Sequence, residues 1–467
     1  MLNNGGSFTA LGPQATNASA ITVSIDTTTA GDKSGVSTID FVSNGSDFGL
    51  GNTALPSQDV AVTGQVFRLA QASAHTPEPV VINARVGDMA EQALSLTNTA
   101  ANDGFSESLN GSIGGATGDV SASGAFSLLA AGATDNINLT VGIDTGTAGA
   151  KSGTATIGLE SDGSGTSNII GNVALSDQIV NVSGNVWAAA VADVQPDPVD
   201  FGIVHVGDTV TTQALAVSNI ASGALTDVLR GGFGAVDGPF GGSGDLGTGV
   251  AAGNTDNSSL SVALDTSTAG VFNGTANLDL RSHDPDLADL MLTPETVGLT
   301  AQVNNFANPV FDFIGGDGAF SGGGDTFLLD FGDILVGNNV LANLAVGNDV
   351  PNPADSLDGT FDLTSIGLFF ALGGFDNFTD LQPGQFINDL TLGLRTAGLG
   401  LGLFSGSAIL NPVGFNGSGF REGLAPVTLA FRGNVVAASV PEPNVLLLMG
   451  FGLLMLFYYR RKGGHSV

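Results

Sequence analysis

Ile137-Asn138-Leu139-Thr140-Val141-Gly142-Ile143 alternates apolar and polar residues, and Asp144-Thr145-Gly146-Thr147-Ala148-Gly149 follows it directly. Period-two alternation of this length predicts a half-buried strand of an antiparallel sheet. The Asp-Thr-Gly run that follows is a turn, because Asp and Thr side chains bond nearby backbone N–H groups and Gly supplies positive φ. Gly153-Thr154-Ala155-Thr156-Ile157-Gly158-Leu159 then starts the next strand. The block returns elsewhere, at Ile25–Gly35, at Leu264–Gly274 and, more weakly, at Leu394–Gly398, with spacings of 118, 121 and 130 residues. A period near 120 is that of a whole β-sandwich rather than of a solenoid unit. A second landmark keeps the same register: Val86-Gly87-Asp88, Val206-Gly207-Asp208 and Val336-Gly337-Asn338. Strands of this kind predict an all-β chain of tandem sandwiches, two sheets face to face.

The divisions expected are a truncated sandwich at 1–72, sandwiches at 73–192 and 193–305, a longer Phe- and Gly-rich sandwich with insertions at 306–438, and a C-terminal segment at 439–467. His75-Thr76-Pro77-Glu78-Pro79 and Val194-Gln195-Pro196-Asp197-Pro198 are expected to act as semi-rigid joints. Projected back from Asp26, the Val-Gly-Asp landmark of the first repeat falls before residue 1, and Met1–Gly6 has no signal-peptide character, so a missing N-terminus is expected.

Composition narrows the function. The net charge is −32, from 44 acidic and 12 basic residues, which disfavours nucleic acid as a partner. With no cysteine, disulfides, thiolate metal sites and thiol catalysis are excluded. His75, His205, His283 and His465 show no metal-ligand spacing, and no nucleophile elbow or triad arrangement is present, so the chain is read as non-enzymatic. Asp284, Asp286 and Asp289 make up an acidic loop of the type that offers oxygen ligands to Ca²⁺, although it lacks the Gly and terminal Glu of an EF-hand. The same residues also fit a solvated turn.

The C-terminus carries Val440-Pro441-Glu442-Pro443, an apolar run from Val445 to Tyr459, and Arg460-Arg461-Lys462. The run predicts a hydrophobic helix acting as a membrane segment at 445–459, with the cations as a stop that stays cytoplasmic. Its fifteen residues give about 22 Å of helix, short of the roughly 30 Å hydrocarbon core, a gap that local thinning and snorkelling would close.

Two resemblances follow. Phe201-Gly202-Ile203-Val204-His205-Val206-Gly207, followed by a strand ending in Asn219, resembles the choice-of-anchor D class of bacterial surface domains, which implies an immunoglobulin-like fold. The tail resembles the PEP-CTERM sorting signal. That resemblance implies export, inner-membrane anchoring, recognition and processing by an exosortase near Pro441–Pro443, and a final place at the cell surface or outside the cell. It also implies a setting of extracellular polysaccharide and biofilm matrix. The expected function is an exported structural or adhesive matrix protein whose partners are polysaccharide or other matrix proteins. The alternative is a carbohydrate- or Ca-binding module using the last sandwich or the acidic loops.

Overall fold

The structure is a computed structural model that describes residues 1–438 and 445–462. The described chain is all-β apart from a short 3₁₀ turn and one C-terminal helix. Each of the last three repeats closes into two facing sheets. In the second repeat one sheet is built around Ser108–Gly114, Gly149–Asp162 and Gln178–Trp187, and the other orders Glu91–Thr97, Thr134–Ile143 and Val120–Ser123. The third repeat packs a four-stranded sheet, Ala192–Gln195 to Phe240–Gly244, on a five-stranded one centred on Glu295–Asn304 and Gly270–His283. In the fourth, a four-stranded sheet faces a seven-stranded one that includes Ala319–Gly323, Ser356–Asp362 and Phe378–Leu381. In the first repeat, Gly31–Ser43 pairs with Thr53–Val66 as a two-stranded sheet.

The alternation read from sequence faces the cores. Leu139, Val141 and Ile143 pack with Leu94, Leu96, Ile157 and Val180, while Leu260 and Val262 do the same one repeat later. Full burial of each such side chain contributes about 1.5–3 kcal/mol. Ile137 departs from the pattern and is 73% exposed. The pairing register shifts between Asp135 and Leu139, a bulge that turns this residue outward. The Asp135 carboxylate closes the bulge by accepting from the backbone and side chain of Asn138.

In every complete sandwich the landmark strand pairs in parallel with the last strand. Val199–His205 lies along Glu295–Asn304, and Thr326–Leu335 along Val427–Val436. In the second sandwich the short pieces Val80–Val81 and Ala84–Arg85 lie along Gln178–Trp187. The Pro-rich stretches serve this arrangement, which differs from the spacer role expected of them. Ala192–Gln195 pairs with Gln213–Asn219 in one sheet, and Val199–His205, just past Pro196-Asp197-Pro198, joins the other. Proline suits such a crossing because it removes a donor where no ladder needs one. At 75–79, His75 shares its ring nitrogens with Gln178 (2.9 Å) and Glu78 (2.6 Å). Burial pushes the Glu78 carboxyl up, but hydrogen bonds from Asn181 and His75 outweigh it and hold the group below the usual carboxylate range.

The chain passes between sandwiches at Arg68, Ala188 and Asn305, each forming a parallel β-bridge into the next repeat. Ala188 N donates to Leu225 O and its carbonyl accepts from Asp227 N; Asn305 does the same with Pro353 O and Asp355 N. Adjacent sandwiches are thus joined through paired backbone, without a free linker.

Helix α1 (Val445–Lys462) has 18 residues. Among the described residues no helix is long and apolar enough to cross a membrane. The helix expected over 445–459 forms, but its apolar length is about 22 Å, and cations occupy its last turn.

Candidate functional site

The two sequence landmarks, distant in the chain, meet in space. Thr145 Oγ1 donates to Asp88 O (2.8 Å), Thr266 Oγ1 to Asp208 O (2.8 Å), and Thr396 Oγ1 to Asn338 O (2.5 Å). The turn they clasp needs left-handed backbone at Gly87, Gly207 and Gly337, with φ of 86°, 85° and 95°, a conformation that favours glycine. Asp88 and Asp208 then accept the backbone N–H of Arg85 and His205, the residues that open the turn. With their main chain fixed, the Arg85 and His205 side chains reach out of their own sandwich into the next one.

At the second joint, Arg85 Nε lies 2.6 Å from Asp227 Oδ2, and Arg85 Nη1 donates to Ala288 O at 2.7 Å. Ser282 Oγ donates to the same carboxylate oxygen and accepts from Ala190 N. Both charges are buried, so each needs the other. At the third joint, His205 Nε2 lies 2.8 Å from Asp355 Oδ2, and Asn304 and Asn416 donate to Oδ1. The imidazole stacks on Phe306 at 4.2 Å and leans on Phe420 at 4.3 Å. At the first joint the corresponding acid is Glu107, held by Ser161 and Ser167 hydroxyls at 2.8 and 2.7 Å. Arg68 turns instead to the exposed Asp103.

The buried acids are placed by one residue type. Asn98, Asn219 and Asn348, each fully buried at a strand end, donate through Nδ2 to the carbonyls of Glu107, Asp227 and Asp355. Their Oδ1 atoms accept from Gln71, Val191 and Asn308 on the incoming chain. The strand-ending Asn of each repeat is thus the organiser of its joint.

The sequence reading weighed His205 only for metal-ligand spacing and passed over Arg85 and the three acids. The signal was available: the residue before each Val-Gly-Asp or Val-Gly-Asn turn is Arg85, His205 or Leu335, and an acid follows each Asn by seven to nine residues.

The acidic loop belongs to a joint as well. Ala288 O receives Arg85, Asp284 is buried and accepts from Asp286 N, and Asp289 pairs with Arg281 (3.0 Å) and His283 (2.6 Å). The His283 hydrogen bond holds Asp289 below the usual carboxylate range. Among the described residues no group of three or more His, Asp or Glu is arranged to hold a metal ion. Val440, Pro441, Glu442 and Pro443 lie outside the described residues, whereas Arg460, Arg461 and Lys462 close α1.

Residues 439–462 match the PEP-CTERM protein-sorting motif. This marks an exported chain, held in the membrane by its C-terminus and processed by an exosortase. No curated protein matches the chain. Among solved structures, the human desmocollin-1 ectodomain is similar at 9% identity and a TM-score of 0.22, over 84% of this chain and 63% of that one. Extracellular cadherin domains 1–5 of protocadherin gamma B2 align at 10% identity and a TM-score of 0.30, over 86% and 66% of the two chains. An endo-fucoidan hydrolase of glycoside hydrolase family 107 aligns at 10% identity and a TM-score of 0.18, over 79% of this chain and 45% of its own.

Proposed function

We propose that the chain is a non-catalytic structural or adhesive protein of a bacterial extracellular matrix: a stack of sandwiches, at 73–192, 193–305 and 306–438, preceded by the two-stranded unit of 1–72 and delivered by an exosortase. The observation that carries this reading is the sorting motif at 439–462, joined to a body whose repeats interlock through paired backbone. In the membrane-bound stage the Arg460-Arg461-Lys462 cluster stays on the cytoplasmic side, following the positive-inside rule. The partners of the released body are extracellular polysaccharide or other matrix proteins. A non-catalytic role is supported by the histidines: His75, His205 and His283 are all engaged with structural partners.

The test is to replace Pro441, Glu442 and Pro443 with alanine in the full chain and follow its mass and release in the native host. Retention of an unprocessed chain in the membrane is the expected result. Unchanged processing and release overturn exosortase sorting.

A further inference from the structure

We infer that the C-terminal end of the fourth sandwich is a membrane-docking face: Leu335, Val336, Leu368, Phe369, Leu401 and Leu403 form an apolar collar that rests in the lipid headgroup layer while α1 holds the chain to the bilayer. The inference rests on the sorting reading and adds to it a second, reversible contact made by the folded body.

The strand pairing brings these residues to one end. Leu335 is the register partner of Val436, the last residue of the closing strand, and Leu403 is the partner of Asn434 in the same strand. The turn at Gly337 is bonded to Thr396, which starts the loop leading to Leu401. Phe370 pairs with Leu394 beside it, carrying Leu368 and Phe369 to the same edge, and the Phe369 and Phe404 rings lie 5.5 Å apart. All six side chains are exposed, Leu368 at 95%, Leu403 at 66% and Leu401 at 64%.

The same end of the earlier sandwiches is built differently. There the turn opens with Arg85 or His205, and the clasping loop reads Thr145-Gly146-Thr147-Ala148 or Thr266-Ser267-Thr268-Ala269. There the Arg85 and His205 side chains are buried against the next sandwich, while the turns themselves, Met89 included, stay exposed. In the fourth, the charged residue is replaced by Leu335, and the loop becomes Thr396-Ala397-Gly398-Leu399-Gly400-Leu401-Gly402-Leu403. An end that faces water alone gains nothing from leucine at these positions, and a patch of this kind marks an interaction surface.

The chain itself identifies the occupant. Residues 437–444 connect the closing strand to α1, and eight residues reach at most about 28 Å. The collar therefore cannot lie far from the bilayer when α1 is in it. The shortfall in apolar length of α1 points the same way, because a body seated in the headgroups lets a short helix reach further into the hydrocarbon. Arg395 is exposed next to Thr396 and suits lipid phosphates.

The chain has no cysteine, so single labels are unambiguous. The full chain is placed in vesicles of phosphatidylethanolamine and phosphatidylglycerol, some carrying brominated acyl chains. A fluorophore is attached at Leu401→Cys, at Leu403→Cys, at Gly452→Cys in α1, and at Ile170→Cys in a second-sandwich loop. The expected result is brominated-lipid quenching at 401 and 403 about twofold or more above that at 170, as for residues roughly 5–10 Å into the interface. Adding Leu368→Asp to Leu401→Cys should return it to the level at 170. Quenching at 452 without quenching at 401 or 403 overturns the collar and leaves sorting intact. Absence of quenching at all three overturns both. Shielding of 401 from aqueous quencher that grows with protein-to-lipid ratio, without lipid quenching, means that a second copy covers the face and likewise overturns the proposal.

Discussion

The Arg85 and His205 joints occupy the same place in successive repeats and solve the same problem, a carboxylate buried between two sandwiches, by different chemistry. Arg85 meets Asp227 with a permanent charge and uses its fork to hold the Ala288 carbonyl as well. His205 meets Asp355 with one ring nitrogen, and two asparagines serve the other carboxylate oxygen while two phenylalanines enclose the ring. One joint depends on a single ion pair. The other distributes the work over neutral donors and aromatic packing. The comparison shows that the architecture requires a buried, Asn-positioned acid, whereas the group that answers it is open to change.

The contrast can be broken most severely at the ion pair. Arg85→Ala leaves Asp227 buried with only the Ser282 hydroxyl, and the expected loss is about 3–5 kcal/mol in the transition of the third sandwich, read from denaturant unfolding. Pairing it with Asp227→Leu should recover much of that loss, because the uncompensated charge is then gone. His205→Ala should cost less, about 1–3 kcal/mol, since Asn304 and Asn416 continue to serve Asp355. A larger loss at His205 than at Arg85 would reverse the reading of the two joints. Acidification should weaken the second sandwich through Glu78. Its carboxyl is held below the usual range in the fold, so its contribution is present above that range and disappears as pH falls through it. Glu78→Gln should flatten this part of the pH dependence of Tm. The smallest effect expected is that of a chelator: with Asp289 paired to Arg281 and His283, removing divalent cations should move Tm by less than about 1–2 °C, a shift of a few tenths of a kcal/mol.

Much of the fold was legible because strand alternation and turn chemistry are local. Leu139, Val141, Leu260 and Val262 announce their faces, and the two landmarks announce the repeat. The bulge at Ile137 was not legible, because the register of Thr134–Ile143 is set by its partner strand rather than by its own pattern. The Pro-rich stretches misled for a related reason: composition shows that the chain cannot continue a ladder there, but not whether it changes sheet or changes sandwich. The joints were the least legible. Arg85 and Asp227 are 142 residues apart, and nothing local tells a buried acid from a solvated one. Repeat alignment alone offered the hint, through the position occupied by Arg85, His205 and Leu335.

The parallel pairing of the landmark strand with the closing strand has a mechanical meaning. In the third sandwich Val199–His205 lies near the entry of the chain and Glu295–Asn304 near its exit. A pull applied between the two ends of the stack would draw these strands past one another lengthwise, loading all their hydrogen bonds at once instead of opening them one by one. Under tension the lifetime of the fold is set by its unfolding rate. A chain built of such units would hold under tension for longer than its equilibrium stability alone implies.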